Sequence, residues 1–95
     1  MRLLTVDDIC YFQADTGYTR MVTADDEWLI RRSLKELQDE LDPAVFWPIH
    51  RGTIVNANAI EGVVRDFRGR ISVTLKARRE RLAVSDAHAH LFRQM

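Results

Sequence analysis

Ninety-five residues, of which 46% are apolar and 29% charged, suit a single small globular domain. The one cysteine cannot form an internal disulfide, which excludes a disulfide-stapled secreted scaffold and favours a reducing compartment. No apolar run reaches the roughly 18–20 residues of a membrane span. We therefore expect a soluble, cytoplasmic domain.

The net charge of zero hides an uneven distribution of charge along the chain. Residues 1–47 carry five basic and ten acidic groups, a net charge of −5, whereas residues 48–95 carry nine and four, a net charge of +5. A basic region favours a polyanionic partner, although a chain this short also acquires such differences by chance. Charge alone leaves both interpretations open.

The N-terminal third of the chain predicts three strands. Residues 9–14 and 18–22 are rich in β-forming side chains on either side of Asp15-Thr16-Gly17. This is a hairpin signal, because glycine accepts the positive φ that such turns require. A second turn at residues 24–26 leads into a strand over residues 27–31.

One helix follows. Ser33 and Glu36 have the spacing of a capping box, in which each side chain satisfies a free backbone N–H of the first turn. Asp42-Pro43 ends the helix, since the residue before proline is pushed out of the α region. Three leucines recur on one predicted face, which should be buried: Leu34, Leu37 and Leu41.

The rest of the chain returns to β structure. Strands are predicted around residues 45–47, 53–55, 59–65, 70–75 and 81–84, with a turn over residues 66–69 and a short terminal helix capped at Ser85-Asp86. Short strands with one inserted helix are typical of a mostly β domain built from antiparallel sheets.

Catalytic and metal sites have little support in this sequence. His88 and His90 lie two residues apart, so on a helix they point roughly 200° apart and cannot share one ion. Cys10 lies in an apolar strand, the usual place of an inert buried thiol. No glycine-rich phosphate loop is present. We expect no enzyme activity, no cofactor and no metal.

One segment carries polar residues that packing does not require. His50-Arg51-Gly52 separates two apolar runs in residues 46–60. The planar guanidinium of Arg51 can bind a phosphate or a guanine edge, and His50 offers a further donor. The alternative is a polar hairpin turn with no ligand.

Several blocks that occur in order extend this observation: Ile9-x-Tyr11-Phe12-x-Ala14; Tyr18 after a short turn; Arg32-Ser33-Leu34-Lys35-Glu36-Leu37; Phe46-x-x-Ile49-His50-Arg51-x-x-Ile54-Val55-Asn56-x-x-x-Ile60; and Leu82-x-Val84-Ser85. From about Leu3 to Phe92 the chain resembles the LytTR family, the DNA-binding output domains of bacterial response regulators. The block around His50-Arg51 is the most specific part of the resemblance.

The resemblance implies an elongated, mostly β fold of stacked antiparallel sheets with one or two short helices. It implies loops that enter successive major grooves of double-stranded DNA at paired direct repeats in promoters. We expect residues 1–95 to form one domain, monomeric when isolated. The longer regulator, with an N-terminal receiver or other sensory domain, is expected to bind DNA as a dimer.

Carried over by position, the resemblance implies base contacts from Tyr18 and Arg51 and a phosphate contact from His50. It places Ser33 near the DNA backbone, where its capping role is an alternative explanation. The full set of candidate DNA-binding residues is Tyr18, Arg20, Ser33, His50, Arg51, Gly52 and Asp86.

Three positions depart from the family pattern. Gly52 stands where a serine is usual, and Pro48 replaces a residue that is often arginine. Asp86 stands where an arginine commonly follows Val-Ser and reaches the DNA. A carboxylate there would repel phosphate, although it can accept from a cytosine amino group, so Asp86 departs from the DNA contact that the resemblance implies at this position.

Two other functions remain open: a LytTR-like protein-binding or dimerisation module, using an apolar patch such as Trp28 or Trp47, and an unrelated small β adaptor. The placement of six arginines separates these ideas, because on the face of Arg51 they would contact phosphate and elsewhere they would protect strand edges. We expect half of these arginines to be scattered rather than on the face of Arg51. The six are Arg65, Arg68, Arg70, Arg78, Arg79 and Arg81.

Overall fold

A computed structural model describes residues 4–92, so Leu3, where the resemblance begins, lies outside the described residues. The helix α1 spans Leu34–Glu40, and the eight strands found within those residues are β1 Ile9–Asp15, β2 Tyr18–Thr23, β3 Glu27–Ile30, β4 Phe46–His50, β5 Thr53–Asn56, β6 Ile60–Arg65, β7 Ile71–Leu75 and β8 Arg81–Val84. Short 3-10 helices span Val6–Asp8, Ala57–Ala59 and Asp86–Phe92. The elongated shape, 43 × 25 × 24 Å, and the mostly β content agree with the predicted fold.

The strands form two antiparallel sheets. Sheet A has five strands in the order β3-β2-β1-β5-β4, and sheet B has three in the order β6-β7-β8. The β1–β2 and β6–β7 turns use Gly17 at φ 74° and Gly69 at φ 82°, a region that side chains with a Cβ rarely adopt. Both turns lie where the sequence predicts them.

Sheet A is the middle layer, with sheet B on one face and α1 on the other. Its central strands are buried on both faces, and alternate residues enter two separate cores. Tyr11 and its cross-strand partner Val55 pack with sheet B, whereas Phe12 and its partner Ile54 pack with Leu37 of the helix. This double burial explains the continuous apolar runs in β1 and β5.

The predicted capping box of α1 is confirmed. The Glu36 amide donates to Ser33 Oγ and the Ser33 amide donates to Glu36 Oε1, each at 3.1 Å. Of the predicted leucine stripe, Leu37 is buried, whereas Leu34 and Leu41 are half-buried against the same core. The helix ends at Glu40, just before Asp42-Pro43.

Two local features differ from a simple strand and α-helix pattern. Pro48 lies inside β4, which is tolerated because β4 is an edge strand and the register shifts between Pro48 and His50. The terminal helix is a 3-10 helix, and the hydroxyl of Ser85 contacts Nδ1 of His88 at 2.6 Å. In residues 4–92 no helix has the length and apolar character needed to cross a membrane.

Polar side chains join the two sheets at the end of the molecule opposite the β1–β2 turn. The buried Tyr11 hydroxyl donates to Glu80 at 2.8 Å, and Arg78 pairs with Glu80 and donates to the Thr23 carbonyl. Burial and this hydrogen bond raise the pKa of Tyr11 to about 12. The nearby Cys10 is buried as predicted, and burial raises the pKa of its thiol.

Candidate nucleic-acid interface

Three loops of sheet A meet at one end of the molecule. The Ala14 amide donates to the Gly52 carbonyl at 2.9 Å, which places the β1–β2 turn beside the β4–β5 turn. The pairing of Thr19 with Ile30 brings the β3–α1 loop to the same end. The Thr19 hydroxyl fixes that loop by donating to the Arg32 carbonyl.

An open groove of about 450 Å³ lies between these three loops. It brings together three of the candidate residues, although they are far apart in sequence: Tyr18, Ser33 and Arg51. Arg31 and Arg32 also line the groove, although the sequence did not identify them as candidate DNA-binding residues. So do two carboxylates, Asp15 and Glu36, so the groove carries both signs of charge.

Arg51 is the groove residue best placed to bind a ligand. It lies exposed in the β4–β5 turn, and within residues 4–92 its guanidinium has no ion pair or hydrogen bond. All five N–H donors of its side chain therefore remain available for a phosphate or a base edge.

His50 holds the turn that presents Arg51. Its Nδ1 accepts the Gly52 amide at 3.1 Å, so the neutral ring carries its proton on Nε2. Gly52 does not have a positive φ, and a Cβ added there would lie 3.7 Å from His50 Nδ1, an ordinary contact. The backbone therefore does not require glycine at this position, where the resemblance implies a serine.

Tyr18 and Arg31 form an exposed pair beside Arg51. Tyr18 is 41% exposed, and the Arg31 guanidinium lies 5.7 Å from the centroid of its ring, within cation–π distance. Arg32, by contrast, forms ion pairs with Glu36 and Glu40. Arg31 therefore presents a more accessible positive charge than Arg32.

Ser33 lies in the groove but already has a structural role. Its Oγ accepts the Glu36 amide, and hydrogen bonding with Ser33 and the charge of Arg32 lower the pKa of Glu36. The hydroxyl can still donate one hydrogen bond outward. Capping and DNA contact are thus compatible at this residue.

Arg20 lies outside the groove. It projects from β2, where its Nε and Nη2 bind Oε1 of Glu27 at 3.2 and 3.1 Å and its Nη1 donates to Gln13 at 2.9 Å. Its charge is therefore paired within sheet A, and its immediate role is to hold β1, β2 and β3 together.

Asp86 reaches the loop end from sheet B. The Ser85 amide donates to the Ile49 carbonyl at 2.9 Å, next to the turn that contains Arg51. Asp86 itself is exposed and lines a separate cavity of about 110 Å³ with Arg65 and Gly69. The structure thus brings the Asp86 loop to the same end but not into the main groove.

The six arginines divide between the two ends of sheet B. Arg65, Arg68 and Arg70 surround the β6–β7 turn, which lies at the end of β8 because Ile71 pairs with both Arg65 and Val84. Arg78, Arg79 and Arg81 lie at the opposite end, where β7 leads into β8. Three of the six therefore lie at the end of sheet B where Ser85 is hydrogen-bonded to Ile49.

Of the two tryptophans considered for protein binding, Trp28 is exposed and Trp47 is half-buried. Trp47 is half-buried, with its ring 5.8 Å from that of Phe92. Trp28 and Leu29 are 37% and 61% exposed on the edge strand β3.

The profile of the LytTr DNA-binding domain family matches residues 1–95. The chain belongs to the LytTR family. This is a family of DNA-binding domains rather than of enzymes. Within the described residues, no group of three or more His, Cys, Asp or Glu side chains is placed to hold a metal ion.

Two proteins named as regulators contain a region similar to this LytTR domain. An uncharacterised response regulatory protein of Vibrio cholerae is 39% identical over 98% of the chain, and a heme-containing CO-sensing transcriptional regulator of Paraburkholderia xenovorans is 42% identical over 67%. The matched regions cover only 36% and 24% of those proteins. A LytTr DNA-binding domain from Bacillus cereus superposes with a TM-score of 0.84 at 25% identity, covering 94% of this chain and 81% of that one.

Proposed function

We propose that the loop end of this LytTR domain binds double-stranded DNA sequence-specifically, with its loops in the major groove. The observation that carries the proposal is the groove where Tyr18, Ser33 and Arg51 meet from three different loops. Residues distant in sequence converge there, and the exposed guanidinium of Arg51 has no partner in residues 4–92.

Each residue has a role that its surroundings support. Arg51 reads a base edge, preferentially the O6 and N7 atoms of guanine, which match its two parallel donors. Tyr18, stacked against Arg31, contacts a neighbouring base or phosphate. His50 donates from Nε2 to a phosphate while its Nδ1 holds the turn at Gly52. Ser33 donates its hydroxyl to the DNA backbone.

The two remaining candidate residues act differently. Arg20 positions the three strands behind the groove, through its hydrogen bonds to Glu27 and Gln13. Asp86 contacts DNA only where it can accept from a cytosine amino group, and it repels phosphate elsewhere. Its position beside the Ile49–Ser85 contact makes it a determinant of site preference.

For the whole protein, we propose a bacterial transcription regulator of the response-regulator type, working in a two-component system in the cytoplasm. The chain would be its output domain, behind an N-terminal receiver or sensory domain. Paired direct repeats in a promoter would be bound by a dimer of the longer protein, whereas the isolated domain would be monomeric.

Selection from a random-sequence DNA pool at two salt concentrations tests this function. We expect an enriched motif at both concentrations and an affinity that falls steeply with salt, because neutralised phosphates release counterions. A pool that stays random would contradict sequence specificity. Binding of protein partners that is insensitive to salt and involves Trp28 or Leu29, without DNA binding, would favour the interaction-module alternative.

A further inference from the structure

An exposed aromatic residue lies at the tip of the β6–β7 hairpin. Phe67 is 92% exposed, more than any other large hydrophobic residue in residues 4–92. Packing in sheet B does not require it, since the neighbouring strands bury Ile71, Val73 and Leu75 instead. An aromatic side chain so fully hydrated is more readily explained by a contact outside the domain.

The hairpin holds this residue in a defined turn. Asp66 Oδ1 accepts the amides of Arg68 and Arg70 at 2.8 and 2.9 Å, and the Gly69 amide donates to the Asp66 carbonyl at 2.9 Å. Arg65 Nη1 adds a hydrogen bond to the Gly69 carbonyl at 3.3 Å. The tip is therefore preorganised, which reduces the conformational entropy lost on binding.

The tip combines an apolar ring with positive charge. The Arg68 guanidinium lies 5.4 Å from the centroid of the Phe67 ring, and Arg70 lies two residues further along. The carboxylate of Asp66 faces backbone amides, which partly offset its charge. A DNA strand offers the complementary chemistry, because its charged phosphates alternate with apolar sugar and base surfaces.

The β6–β7 hairpin also lies at the end of the molecule that carries the Arg51 turn. Arg65 and Gly69 share a small cavity with Asp86, and the preceding Ser85 is hydrogen-bonded to Ile49 beside the Arg51 turn. Residues 65–70 carry three arginines and one acidic residue, Asp66, and Asp86 lines the cavity beside them.

We infer that the β6–β7 hairpin is a second DNA-contacting element, which binds the strand flanking the site of the groove residues. Arg68 and Arg70 bind phosphates, and Phe67 packs against the apolar surface of an adjacent nucleotide. This inference rests on the proposed DNA-binding function and adds a contact outside the groove.

The test uses the 95-residue chain and a duplex enriched from the random pool, with several flanking base pairs at each end. We expect Phe67→Ala to lower affinity about three- to tenfold with an unchanged salt slope, because an apolar contact releases no counterion. Arg68→Ala and Arg70→Ala should each lower the slope by roughly one. Val63→Ala, on the same hairpin, and Arg79→Ala, at the far end of sheet B, serve as matched controls.

Duplex length provides a second, independent readout. On a duplex trimmed to the enriched motif, wild-type affinity should fall at least as far as Phe67→Ala lowers it on the long duplex, and the hairpin variants should lose nothing further. If the hairpin variants bind the long duplex like wild type while Arg51→Ala binds weakly, the hairpin contact is wrong and the proposed function stands. If neither set of variants affects binding, both are wrong.

Discussion

The backbone amide of Ser85 donates to the carbonyl oxygen of Ile49 at 2.9 Å, and this hydrogen bond joins the loop ends of the two sheets. Ile49 precedes the turn that carries Arg51, and Ser85 precedes Asp86. Through this contact a surface formed by sheet A and a hairpin formed by sheet B face the same end of an elongated domain. Loops from both sheets can therefore contact one duplex.

Reversing the charge at Asp86 should strengthen DNA binding. Asp86 is exposed, so Asp86→Arg should leave the fold intact while it removes phosphate repulsion and adds a phosphate donor. We expect affinity for duplex DNA to rise and the salt slope to steepen by about one or two, measured by fluorescence anisotropy. An unchanged affinity would show that this loop lies away from the DNA.

Leu37 should be the most costly helix residue to truncate. It is buried against Phe12, Phe46 and Ile54, so Leu37→Ala should lower the free energy of unfolding by about 2–5 kcal/mol in urea titrations. Leu34→Ala should cost less because Leu34 is half-buried. The exposed Lys35→Ala should remain within about 0.5 kcal/mol of wild type. Equal costs at Leu37 and Lys35 would contradict the packing of α1.

Two substitutions at Ser33 separate capping from DNA contact. Ser33→Ala removes the acceptor for the Glu36 amide and should lower stability by about 0.5–2 kcal/mol. Ser33→Asp keeps a good N-cap and should keep stability, but its negative charge in the groove should weaken DNA binding. Full affinity in a stable Ser33→Asp variant would place Ser33 outside the interface.

High pH should destabilise the domain through Tyr11. Its pKa of about 12 exceeds the ordinary value near 10, first because of burial and then because of the hydrogen bond to Glu80. The neutral phenol therefore stabilises the fold below pH 10, and this contribution is lost as the pH rises from 10 to 12. Thermal midpoints should fall over that range, and Tyr11→Phe should show a shallower fall. Equal slopes in both proteins would contradict this assignment.

Local signals predicted much of the fold, whereas long-range contacts determined the rest. The Gly17 turn and the Ser33–Glu36 box depend on neighbours in sequence, so both are visible in the chain. The residues next to Arg20 and Arg31 in sequence do not indicate that Arg20 is paired within sheet A and that Arg31 lines the groove. Their roles depend on the β2–β3 register, which sets Arg20 opposite Leu29, within hydrogen-bond reach of the Glu27 carboxylate, and brings Arg31 beside the Tyr18 ring.

The DNA-contacting residues proposed here were likewise predictable only in part from the local sequence. The His50-Arg51-Gly52 triplet was recognisable because polar residues interrupt two apolar runs. The exposure of Phe67 was not, because residues 66–69 predict a turn but not which side chain lies outside the sheet. Nor could the sequence locate the Tyr11–Glu80 contact, which joins residues 69 positions apart.

The affinity of Arg51→Ala for the enriched duplex tests the central claim most directly. Loss of a bidentate guanine contact should cost about 1–3 kcal/mol and relax the preference at one base pair. A phosphate contact alone would instead weaken all sequences alike and lower the salt slope by roughly one. Arg79→Ala should bind like wild type, and the thermal midpoint should hardly change in either variant, because exposed arginines contribute little to stability. DNA affinity that is unchanged in Arg51→Ala, or unfolding of that variant, would contradict the proposed role of the loop end.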